Sequence, residues 1–73
     1  MENYKIIVRK DNNFYISTFD NRELAKMAYN GILSAFKEST NIHANVLLVH
    51  MDTQQVVFEA IVDDGTIYEQ YGG

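Results

Sequence analysis

One segment, Phe19 to Ser39 (FDNRELAKMAYNGILSAFKES), carries helical periodicity in a chain that otherwise reads as strands and turns. The spacing predicts an amphipathic helix from about Asn21 to Ser39. Asp20 is the expected cap, and Glu23 three residues later completes a capping box. Phe19 and Leu24 bracket the first turn as a hydrophobic staple. On a helical wheel Leu24, Ala28, Gly31, Ile32 and Ala35 form one stripe, with Ala25 and Phe36 at its margins. Gly31 costs about 1 kcal/mol relative to alanine inside a helix. Its place on the stripe implies close approach to a sheet, or else a kink that divides the element.

The flanking segments supply that sheet. Tyr4 to Lys10 alternates, with Tyr4, Ile6 and Val8 on one side and Lys5, Ile7 and Arg9 on the other. Asp11, Asn12 and Asn13 form turns and tolerate positive φ. Phe14 to Phe19 is β-branched and aromatic and returns as a second strand. After the helix, Asn41 suits a left-handed terminus. Asn45 to Met51 is apolar on both faces, as in a strand covered on both sides. Asp52 to Gln55 turns, and Val56 to Val62 is a fourth strand. Asp64-Gly65 marks a type I′ hairpin into a short fifth strand, Ile67 to Tyr71. Gly72 and Gly73 should fray.

These elements predict an α+β two-layer sandwich, ββαββ(β), with one helix packed on an antiparallel sheet of four to five strands. A chain of 73 residues makes one domain, spanning 1–73. The first and third strands carry the longest apolar runs and should be central, so the expected strand order is 2-1-3-4-(5).

One helix covers one face, yet the strands are apolar on two. If Tyr4, Ile6, Val8, Phe14, Ile16, Val46, Leu48, Phe58 and Ala60 meet the helix, then Ile7, Leu47, Val49, Val57 and Ile61 face away. A bare patch of that kind exceeds what soluble monomers usually expose, so a second copy or another protein should cover it. Ile7, Val57 and Ile61 are therefore candidate partner-binding residues. Tyr29 and Leu33 join them, because the wheel places both on the outer flank of the helix beside Arg22 and Lys26.

Charge is uneven. All six Lys and Arg residues lie in residues 1–40, whereas residues 41–73 hold five acids and no Lys or Arg. An acidic second half disfavours binding to a phosphate backbone. There is no cysteine, hence no disulfide and no thiolate metal site. No apolar run reaches the roughly 20 residues of a membrane span, and the N-terminus lacks the apolar core of a secretory signal. A cytoplasmic protein with no membrane partner is the expectation.

Chemistry is thin. His43 and His50 are the only histidines. His50 with Asp52 falls short of the three or four ligands of a zinc site. Asp63, Asp64 and Glu69 around Gly65 do not meet the calcium-loop pattern. Ser17, Ser34 and Ser39 have no nucleophile elbow or triad spacing. No catalytic, cofactor or metal residues are assigned, and no enzyme is expected. Lys5, Arg9 and Lys10 with Tyr15 suggest a small nucleic-acid patch, too few cations for the usual phosphate contacts. The acids Asp63, Asp64 and Glu69 suggest an acidic mimic of DNA, on equally few groups. The expectation is thus a non-enzymatic interaction or regulatory module acting as a homodimer. A small nucleic-acid-associated protein or a DNA-mimic inhibitor is the alternative.

Overall fold

A computed structural model describes residues 3–71; the expected fraying of Gly72 and Gly73 lies outside them. The elements are β1 (Tyr4–Lys10), β2 (Asn13–Phe19), α1 (Arg22–Glu38), β3 (His43–His50), β4 (Gln55–Asp63) and β5 (Thr66–Tyr71). The five strands form one antiparallel sheet in the order β2-β1-β3-β4-β5, and α1 packs on one face of it. The expected order holds: β3 takes the centre with β1 and β4 beside it. Apolar content alone does not rank them, since β4 is as rich in apolar residues as β3 and richer than β1.

The turns follow local chemistry. Asp11 and Asn12 have φ of 53° and 66°, and Asp64 and Gly65 have 48° and 86°. Two successive positive φ values make the type I′ turn whose twist matches flanking strands. Asn41 has φ 60°, the left-handed residue after the helix. Its amide donates to Asp64 Oδ1 at 2.7 Å, and the Asp64 amide donates to Ile42 O at 2.9 Å. The β4–β5 turn is thereby tied to the exit from the helix.

The helix cap is Asn21, not Asp20. Asn21 has extended backbone, and its Oδ1 accepts from the Leu24 amide at 2.9 Å. Glu23 then falls one position short of a capping box, though it still sits favourably at the positive end of the dipole.

The buried face of α1 is Ala25, Tyr29 and Leu33, with Ala28, Ile32 and Phe36 packed beside them. The expected stripe was therefore rotated by roughly 100°, one residue along the helix. Leu24 and Met27 are exposed instead. The cause is size. Tyr29, Leu33 and Phe36 remove more apolar area from water than Ala28, Gly31 and Ala35 would. Gly31 is exposed, and a Cβ there would meet nothing within 4 Å. No close approach requires it, and α1 runs unbroken through it.

Opposite the helix, Ile6, Val46, Leu48 and Val62 are fully buried, framed by Tyr4, Ala44 and Ala60. Tyr29 stacks on Phe58 with ring centroids 5.8 Å apart.

Candidate interaction face

The face of the sheet away from α1 is defined by strand register. Lys10 pairs with Asn13 around the two-residue turn, so Arg9 lies opposite Phe14 and Ile7 opposite Ile16. Had Asn13 belonged to the turn, β2 would have slipped by one residue and turned Phe14 and Ile16 toward the helix. A one-residue slip exchanges the two faces of a strand. The expected placement of Phe14 and Ile16 under the helix is accordingly reversed, and Tyr15, Ser17 and Phe19 take the helix side.

Four rows lie on the far face. One runs Ile16, Ile7, Leu47, Glu59, Gln70; the next runs Phe14, Arg9, Asn45, Ile61, Tyr68; the third runs Thr18, Lys5, Val49, Val56; the fourth runs His43, Asp63, Thr66. Phe14 is 65% exposed, Ile16 62%, Tyr68 58% and Ile61 44%. Exposure this high at four large residues on one side of a sheet departs from ordinary scattered surface apolars.

Of the five partner-binding candidates, Ile7 and Ile61 lie on this face. Tyr29 and Leu33 do not lie on any outer flank; both are buried in the core under α1. Tyr29 belongs to a stack rather than an anchor site. The Phe58 ring it covers also receives Arg22 at 5.9 Å and Lys26 at 5.4 Å. Val57 is also displaced. The register shifts between Leu48 and Val49, which pair with Phe58 and Val56, so Val57 is the extra residue of a β-bulge. It packs against the helix-side core. Phe14, Ile16 and Tyr68 are the face residues that the sequence reading missed. The Asp11-Asn12 pair, read as a two-residue turn, was the signal that places the first two.

Charge divides the face by strand. Its cations are Lys5 and Arg9, both on β1, and its carboxylates are Glu59 and Asp63, both on β4. Arg9 lies 5.9 Å from the Phe14 ring centroid. Lys5 Nζ donates to Gln54 Oε1 at 3.5 Å. His43 Nδ1 and Asp63 Oδ1 are 2.9 Å apart at one end of the face. Lys10 points to the other side, lining a groove with Val8, Tyr15, Ile32, Ala35 and Phe36. The three cations of the first hairpin are thus split between two faces. The three acids of the last hairpin are split as well. Asp63 is on the far face, Asp64 accepts from the Asn41 amide, and Glu69 pairs in register with Ala60 on the helix side.

His50 Nδ1 lies 2.9 Å from Thr53 Oγ1, and its ring meets Tyr4 edge-on at 5.0 Å. Its partner is thus a hydroxyl within the β3–β4 turn rather than Asp52. Among the described residues no group of three or more His, Asp or Glu side chains converges to hold a metal ion. Among them also, no helix is long and apolar enough to cross a membrane.

Compared with known proteins, the chain matches no family model, no curated protein and no solved structure.

Proposed function

We propose that this chain is a non-enzymatic protein–protein interaction or regulatory module that acts as a homodimer. One observation carries the reading. The sheet face opposite α1 presents Ile7, Phe14, Ile16, Leu47, Ile61 and Tyr68, with no second layer above it among the described residues. Apolar surface gains about 25 cal/mol for each Å² removed from water, so such a face favours association. A second copy is the simplest cover, since a two-fold contact uses the same patch twice.

Sedimentation at micromolar concentration tests this. A species of twice the 8.4 kDa chain mass is expected. A clean monomer overturns the homodimer.

The nucleic-acid alternative has one point in its favour: Lys5, Arg9 and Phe14 share this face, and aromatic side chains on a sheet can stack bases. Glu59 and Asp63 on the same face oppose it. Fluorescence anisotropy with labelled DNA separates the two, because phosphate binding weakens steeply with salt. Burial of apolar area does not.

A further inference from the structure

Resting on the homodimer reading, we infer how the two copies sit: far face on far face, about a two-fold axis along β3. β1 of each copy then lies over β4 of its partner, and β2 over the partner's β5.

The charges select this axis. Within the far face, β1 holds Lys5 and Arg9 and no acid, β4 holds Glu59 and Asp63 and no base, and β3 between them holds no Asp, Glu, Lys or Arg. A two-fold along β3 exchanges the two halves and sets each cationic strand over an acidic one. The other in-plane axis, across the strands, lays β1 over the partner's β1 and β4 over the partner's β4, opposing like charges. Like-charge juxtaposition is a strong penalty against a docking arrangement.

Register sharpens the match. Far-face residues on one strand are two apart, roughly 7 Å. A two-fold along the strands preserves height, so each row meets its own counterpart. Glu59 shares a row with Ile7, between the rows of Lys5 and Arg9. The partner's Glu59 therefore falls between Lys5 and Arg9. Arg9, sharing a row with Ile61, falls between the partner's Glu59 and the partner's Asp63. At the roughly 10 Å separation of packed sheets, long side chains bridge the gap. Leu47, at the middle of β3, meets the partner's Leu47 on the axis, and Phe14 comes over the partner's Tyr68.

The area suffices. Five strands spaced about 4.8 Å, each roughly seven residues long, present on the order of 500 Å² per copy, or about 1,000 Å² across the dimer. That reaches the lower bound of roughly 1,000 Å² for a specific interface.

A charge swap tests the arrangement. Arg9→Glu sets an acid one row from the partner's Glu59 and the partner's Asp63, and Glu59→Lys sets a base between the partner's Lys5 and the partner's Arg9. Each variant alone is expected to dimerise at least tenfold more weakly than the natural chain. An equimolar mixture should recover a dimer with one copy of each, identified by native mass spectrometry with one variant isotopically labelled. In that heterodimer one half of the interface keeps Arg9 beside Glu59 and the other carries the swapped pair. Lys5→Glu, which flanks Glu59 from the other side, replaces Arg9→Glu if circular dichroism shows that variant unfolded. Variants that dimerise alone like the natural chain, or a mixture that stays monomeric, overturn the arrangement and leave the homodimer standing. A natural chain that sediments as a monomer removes the homodimer itself.

Discussion

Gly31 shows how far one residue can mislead and inform. An exposed glycine inside a helix, where an added Cβ would find nothing within 4 Å, has no packing reason to lack a side chain. Gly31→Ala should therefore stabilise the fold by about 1 kcal/mol through reduced freedom of the unfolded chain. In a domain of this size that raises the melting temperature by roughly 4–8 °C, readable by circular dichroism. A lowered melting temperature would restore the close approach that spacing alone suggested. Gly65 is the opposite case. Its φ of 86° is one that L side chains rarely adopt, so a side chain there is strained even though an added Cβ would meet the Lys37 and Ser39 carbonyl oxygens only at ordinary contact distance, 3.7 and 3.9 Å. The sequence flagged both glycines; only Gly65 carried a local signature, Asp-Gly, that states its own reason.

At the scale of elements, the rotation of α1 is the main lesson. The helix was legible from periodicity, and its start was placed within one residue. Its buried face was not, because the apolar positions wrap around more than half the wheel. Leu33→Ala should cost about 2–5 kcal/mol, the range for truncating a buried leucine. Leu24→Ala should cost less than about 1 kcal/mol, since Leu24 stands half exposed. Urea denaturation of the two variants checks the order, and a larger loss at Leu24 would return the helix to the expected orientation. β2 teaches the same lesson through register. Its seven residues, NFYISTF, carry no charge and no proline, and among the described residues it pairs only with β1. Edges of that kind are usually guarded by Lys, Pro or a bulge. The proposed face-to-face dimer would set β2 over the partner's β5, covering its far side and leaving its outer backbone open.

For the whole molecule, the deciding quantity is apolar area that one helix cannot reach. Ile61→Thr removes an apolar contact from the far face without touching the helix-side core. It should weaken dimerisation about tenfold and change the melting of the dissociated chain little, measured by sedimentation and by thermal melts at low concentration. Unchanged association would mean that the face is not the contact. The sequence by itself determined which segments become helix, strand and turn. Those choices rest on energies local to each segment: periodicity, capping groups and residues that accept positive φ. The facing of β2 was also local, written in the Asp11-Asn12 turn that locks Lys10 to Asn13. The strand order that the sequence favoured, with β1 between β2 and β3, rests on pairing between distant segments, and the sheet itself supplies it. Only the tertiary structure decided which way α1 turns. Its phase is a matter of one residue, nearly free locally, and is settled where Tyr29 finds Phe58 and Leu33 finds the sheet.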